Sequence, residues 1–333
     1  MPITPDRPIA IYHEHPDWFR PLFTELERRG IPFARLDAAR HRYEPGGPPP
    51  PYSLVFNRMS PSAWRRGAGH AIFYTLSYLD SLERAGVPVV NGTRAFLTEI
   101  SKARQLALLD TLGLPYPRAR VIHDPAQAAA AAVGLRFPVV VKPNVGGSGA
   151  GIRRFDSIES LRQATLDGSL EGGLDHTLLV QEFRTAEAAR IVRVETLGGR
   201  YLYAIRVYTT GESFDLCPAD ICQNVDGAEL ERAACPVDAP KNGLRVEAYT
   251  PPAEIVKNVE RIVAEAGIDI GGVEYLIDEE GGLFYYDINA LSNFVADAPR
   301  VIGFDPFSRL ADYLVHEAER APARHAIAVP EGV

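Results

Sequence analysis

Residues 137–152 read FPVVVKPNVGGSGAGI, an apolar run that ends on Lys142 and passes into a loop of Gly146, Gly147, Ser148, Gly149 and Gly151. A β-branched run stopped by Pro and Gly predicts a strand entering a turn. Glycines let backbone N–H groups come close to an anion, and the lysine adds a point charge. The predicted chemistry is phosphate covering; the alternative is a plain surface hairpin. Two better-known phosphate loops are excluded. Gly151 is followed by Ile152 and Arg153 rather than Lys-Ser/Thr, and Ile152 stands where a dinucleotide fingerprint needs its last glycine.

A second chemical stretch is GGVEYLIDEEGGLFYYDIN at 271–289. Two alternating segments flank Glu280-Gly281, which reads as a two-residue hairpin turn. In that register Glu274 faces Asp287, and Asn289 lies on the same face two residues on. Two carboxylates about 5 Å apart repel unless a cation lies between them. Three converging oxygen ligands suit Mg²⁺, with Mn²⁺ as an alternative, and phosphate oxygens would complete the shell. A solvated polar face is the competing reading. Arg193 and Arg206 interrupt apolar strand segments, and a half-buried arginine needs an acid or an anion. Lys102, in the first turn of a helix capped by Ser101, is misplaced for the helix dipole and is either a phosphate ligand or an ordinary exposed lysine.

These residues need elements to hold them. Strands at 9–13, 31–36, 54–56 and 87–90 alternate with helices at 16–30 and 70–85, predicting a small parallel α/β domain over 1–95. The second helix shows Ile72, Phe73, Leu76, Leu79 and Leu82 as its apolar face. Ligands lie beyond the carboxyl ends of such strands, which makes His13, Glu14, Asn57 and Arg58 cleft candidates, with Arg58 as a surface charge the alternative. A central α+β lobe follows at 96–180, with strands at 118–122 and 152–155 and a helix after Ser157 carrying Ile158, Leu161 and Leu166. A C-terminal lobe spans 181–325, with strands at 191–196 and 201–208 joined by Gly198-Gly199, an irregular stretch at 209–250 and a helix from Pro252 to Ala266. Residues 326–333 are a tail.

The chain has 333 residues, 46% hydrophobic and 23% charged, enough for two or three subdomains. A net charge of −8 with no basic tract argues against nucleic acid. No apolar run reaches membrane-spanning length and the N-terminus is not a signal peptide, so a cytoplasmic protein away from membranes is expected. Cys217, Cys222 and Cys235 lack CxxC spacing and are expected to be reduced thiols rather than a zinc site.

In this order, a lysine-ended strand with a glycine flap, a later hinge strand and an acid–acid–Asn hairpin resemble the ATP-grasp superfamily, and within it the RimK-like carboxylate–amine ligases. The resemblance covers nearly the whole chain and implies an ATP-grasp fold of α/β and α+β units. It implies that Lys102, Lys142, Gly146, Gly147, Ser148 and Gly149 bind phosphates, and that Gln181, Glu182 and Phe183 form a hinge whose backbone reads adenine, with Glu182 accepting from the exocyclic amine. Glu274, Asp287 and Asn289 would be the magnesium ligands, in swapped acid order. The segment ARIVRV resembles one whose acid holds ribose; Ile191 takes that acid's place, so Glu187 is assigned to ribose instead. The Ser-Pro-Gly turn after the asparagine is replaced by residues 290–294, and the substrate segment is not recognisable in FDLCPADIC.

The resemblance further implies that ATP phosphorylates a carboxylate and an amine then attacks the acylphosphate, with Arg193, Arg206 and Lys142 as catalytic groups. A small acid and a small amine, an amino acid or peptide among them, would be the partners, and a homodimer is allowed. Two other readings stand beside it: another ATP-grasp acyl or phosphoryl transfer, and a nucleotide-binding regulatory protein without catalysis.

Overall fold

The computed structural model describes residues 2–15, 17–147, 151–208 and 245–320. Its first sheet is parallel, in the order β2 (Phe33–Asp37), β1 (Ile9–His13), β3 (Leu54–Arg58), β4 (Val89–Val90). The two-residue period sends Ile9 and Ile11 to one face against Phe19 and Phe23, and Ala10 and Tyr12 to the other against Ile72, Leu79 and Leu82. Helix α1 (Arg20–Arg28) covers the first face and α2 (Gly69–Arg84) the second. Phe73 departs from the expected apolar face of α2 and is exposed, because the buried stripe runs through Ala71, Ile72, Thr75, Tyr78, Leu79 and Leu82.

The second sheet is antiparallel, in the order β5 (Ala119–Ile122), β8 (Leu178–Glu182), β6 (Val139–Pro143), β7 (Arg153–Phe155). Its core joins Val139, Val141, Leu178 and Val180 to α5 (Ala128–Ala131) and α6 (Ile158–Leu166). Leu166 lies outside that core, exposed at the helix end. Since β8 pairs along its length with β6, a break at residue 180 would cut a strand; the chain leaves this sheet only after Glu182. The helix capped by Ser101, expected to belong to this lobe, lies elsewhere. Helix α3 (Thr93–Glu99), which was not expected, and α4 (Lys102–Thr111) contribute Ala95, Leu106 and Leu109 to the core of the third sheet.

That third sheet is antiparallel, in the order β11 (Arg245–Tyr249), β10 (Arg200–Tyr208), β9 (Arg190–Leu197), β12 (Ile270–Ile277), β13 (Leu283–Asn289). The segment 245–249, expected to be irregular, pairs as a strand with β10, where Arg206 faces Glu247. Gly198 and Gly199 both have positive φ, 60° and 70°, as a two-residue turn between twisted strands requires. Helix α7 (Ala253–Ala266) packs Val259, Ile262 and Val263 on one face together with α4. The other face meets α8 (Ala298–Ile302) and α9 (Pro306–Arg320), and through α9 the first sheet. Asn91, at φ 54°, ties the units: its side chain donates to Ile270 O and Ala290 O and accepts from Asp269 N and Ile270 N.

Candidate active site

The hairpin brings its acids together by a route other than the expected turn. Near the turn the pairs are Tyr275↔Tyr285 and Ile277↔Leu283, so the connection is the five residues 278–282. The Asp278 carboxylate accepts there from Glu280 N and Gly282 N. A bulge between Glu274 and Tyr275 then takes up Tyr286 as an extra residue and restores Glu274↔Asp287 and Gly272↔Asn289. Glu274 and Asp287 therefore do face each other, with Asn289 beside them.

Each acid is already held. Glu274 accepts from Arg193 Nη1 at 2.9 Å and from the Tyr286 hydroxyl at 2.8 Å. Asp287 accepts from Lys102 Nζ at 2.8 Å and from Asn289 Nδ2 at 2.8 Å. Burial pushes the Glu274 carboxyl up to about 7 and the nearby Asp287 charge adds to this, although Arg193 opposes it. Burial also raises Asp287, but Lys102 outweighs it and the carboxyl stays below its ordinary range. Among the described residues no three His, Cys, Asp or Glu side chains gather as a metal cluster. The set fits a divalent cation through a different donor list. Each carboxylate oxygen keeps a second lone pair, and Asn289, whose Nδ2 donates to Asp287, turns its carbonyl oxygen outward from that bond. The rise in Glu274 comes first from burial, and a cation beside the carboxylate would oppose it.

Lys142 is buried at the end of β6, and burial, with Lys102 adding to it, lowers its ammonium to about 7. Lys102 stays raised despite burial because of Asp287. Gly146 and Gly147 follow, and a Cβ on Gly147 would come within 3.1 Å of Ser62 Cβ, so Gly147 lies against the 3₁₀ segment Pro61–Arg66. Ser148 and Gly149 lie outside the described residues, as do Cys217, Cys222, Cys235 and FDLCPADIC.

Arg193 and Arg206, expected to serve one substrate together, stand on opposite faces of the sheet. Arg193 pairs across strands with Ile205 and Glu274, on the carboxylate face, and donates through Nε to Glu195 at 2.6 Å. A bulge between Tyr201 and Tyr203 shifts β10 by one residue, so Arg206 pairs with Val192 on the other face. A one-residue shift reverses every later side chain. Arg206 there lies 3.8 Å over the Tyr249 ring and 3.7 Å from Glu247.

Two other assignments meet occupied groups. Glu182 is buried, and its carboxylate accepts from Arg136 N at 3.0 Å and Arg184 Nη2 at 2.6 Å, which binds the strand's own lobe rather than an exocyclic amine. Gln181 donates to Pro117 O. Phe183 follows at the hinge, its backbone N–H bonded to Pro138 O. Glu187 is exposed and paired with Arg190 at 2.6 Å.

Of the cleft candidates at the first sheet, His13, Asn57 and Arg58 are buried and Glu14 is half-buried. Asn57 donates to Asn91 O, and the Glu14 carboxylate accepts from Arg66 Nε and Nη2. Arg58 is no surface charge: Nη2 donates to Ser292 O and to Asn293 Oδ1 at 2.8 Å, fastening the loop that follows Asn289. His13 is its cross-strand neighbour, and burial lowers its imidazole to about 4. Sequence reasoning missed Glu99, whose buried carboxylate accepts from Ala290 N; Glu195; and Asn144, which caps α4. Their partners are 191, 2 and 41 residues away, and only the Arg-x-Glu spacing of the second was visible in the chain.

Residues 100–214 match the model of the RimK-like ATP-grasp domain. The D-alanine–D-alanine ligase of Ectopseudomonas mendocina (strain ymp) is 36% identical over 103 residues, 31% of this chain and 32% of the relative. That of Pseudomonas entomophila (strain L48) is 25% identical over 231 residues, 67% of this chain and 66% of the relative. The chain spans about a third to a half of the length of several curated relatives it matches. Among solved structures, the ATP-grasp ligase PsnB with its minimal precursor superposes with a TM-score of 0.64 at 20% identity, covering 94% of this chain and 100% of that one. A further structure of PsnB holds Mg and ADP as well as the precursor. The chain has the ATP-grasp fold, and its residues 100–214 are similar to the RimK-like ATP-grasp domain.

Proposed function

We propose that this protein is an ATP-dependent carboxylate–amine ligase that works through an acylphosphate and releases ADP and phosphate. The observation that carries the reading is the 2.8 Å contact between Lys102 and Asp287, which joins a phosphate-type lysine to the acid–acid–Asn hairpin. Lys142 is near them, since both lysines and Asp287 feel one another's charge. The domain match and the D-alanine–D-alanine ligase relatives support the same chemistry.

In this reading Lys102, Lys142 and the Gly146–Gly147 amides bind the phosphates and offset the charge that spreads over the transferred phosphoryl group. Glu274, Asp287 and Asn289 would hold Mg²⁺, which would supply positive charge against that of the phosphates. Mn²⁺ would fit the same oxygen donors. Arg193, held beside Glu274, orients the acylphosphate oxygen, while Arg206 on the other face takes no part. Adenine lies along β8 and Phe183, read by backbone groups because the Glu182 carboxylate is taken. The loop closing on the Pro61–Arg66 segment excludes water from the acylphosphate. The three sheets correspond to a preceding α/β domain and two clasping lobes. The substrates are small carboxylates and amines.

The test is a screen of acid and amine pairs for magnesium-dependent ADP and phosphate release. Turnover should need both substrates, and Asp287→Asn should abolish it while the circular-dichroism spectrum is kept. Tight nucleotide binding with no turnover on any pair would favour a regulatory role instead.

A further inference from the structure

Asn144 lies two residues after Lys142, just past the end of β6, and its side chain does nothing for its own sheet. Its Oδ1 accepts from Ala103 N at 2.9 Å and from Ser101 Oγ at 3.1 Å. Its Nδ2 donates to Asp175 Oδ2 at 2.7 Å. Its backbone carbonyl accepts from Lys102 N at 3.3 Å, and its backbone N–H donates to Thr177 O at 2.9 Å. The residue is buried. Only a carbonyl oxygen can meet the Ala103 N–H and only the NH₂ can donate to the carboxylate, so the amide has one orientation.

The first N–H groups of a helix have no partner within it and are met by a cap. In α4 the nominal cap, Ser101, accepts only the long 3.3 Å bond from Arg104 N. The Lys102 and Ala103 N–H groups are met by Asn144, from another sheet. Lys102 is the first residue of that helix. The cap therefore sets the position of one lysine against the strand that carries the other. Two buried ammonium groups repel, so nothing in their own interaction would keep them together.

We infer that Asn144 is a positioning residue that holds Lys102 and Lys142 at a fixed separation to grip a polyphosphate, with Asp175 locking its amide. The inference rests on the proposed nucleotide site. A cap that only stabilises α4 would change the melting temperature and touch all ligands alike. A residue that sets the spacing of two lysines acts on the phosphates and spares the base.

The experiment measures ADP and adenosine affinity by calorimetry on the full chain. Asn144→Leu keeps the volume and removes all three side-chain bonds. It should weaken ADP about tenfold or more, about 1.4 kcal/mol. Adenosine should change less than about twofold. If that variant does not fold, Asn144→Asp serves: it sets two carboxylates against each other, should lose ADP affinity by about threefold or more, and should recover when Asp175→Asn restores the bond with its polarity reversed. Unchanged ADP affinity in the single variants, equal loss for ADP and adenosine, or no recovery in the double variant would overturn the inference. Wild-type protein that binds no ADP would instead overturn the nucleotide site itself, and this inference with it.

Discussion

Lys142 should take up a proton when nucleotide binds. Its ammonium is lowered from 10.5 to about 7, first by burial and then by Lys102, with Asp287 acting the other way. That shift corresponds to roughly 5 kcal/mol against the charged form. The folded-state value lies below the unfolded one, so between about 7 and 10.5 the unfolded chain binds more protons and this group makes stability rise with pH. Phosphates beside the amine reverse the shift. At pH 8 the free site is about one-tenth protonated, so ADP binding should draw in about 0.9 proton. Glu274, raised to about 7, is also largely ionised at that pH, and an anion beside it pushes it further up, so it adds to the uptake. Calorimetry in buffers of different ionisation enthalpy reads the total proton count directly. Lys142→Arg, always charged, keeps the two apart: it should bind ADP with an uptake smaller by about 0.9 proton. Wild-type protein that binds ADP with an uptake below about 0.2 proton would refute the reasoning.

Other outcomes follow from the same geometry. Arg193→Lys should cut turnover by about a hundredfold or more, because it removes a positioned donor and leaves two buried carboxylates short of a partner. Arg206→Lys should leave turnover within about threefold of wild type, and steady-state kinetics of the two variants compares the faces. Glu182→Gln should lower stability in urea by about 1–3 kcal/mol while the preference for ATP over GTP is unchanged, measured by competition binding.

The site was partly legible in the sequence because its strongest signals are local. Lys142 with its glycines, and the alternation in 271–289, carry their own geometry. The Glu274–Asp287 pairing was reached although the turn was misread: a five-residue connection shifts the register one way and the bulge at Tyr286 shifts it back. The same kind of irregularity, unopposed, reversed Arg206, since nothing in YLYAIRV marks where a strand takes an extra residue. Asn144 was not legible because its partners come from a helix that starts 42 residues earlier in the chain and packs on another sheet. The role of the Glu182 side chain was not legible, because the hinge was assigned from resemblance and nothing in the chain shows Arg184 and Arg136 taking the carboxylate. Strand β11 was hidden by its length and by Arg, Glu and Tyr on a sheet edge, where burial imposes little pattern.

The central claim, an acylphosphate formed from a substrate carboxylate, is tested most directly by isotope transfer. A carboxylate substrate found in the screen, labelled with ¹⁸O at both oxygens, is turned over with unlabelled ATP and amine, and the released phosphate is analysed by mass. The account predicts one ¹⁸O atom in each phosphate. Unlabelled phosphate accompanying amide formation would contradict it.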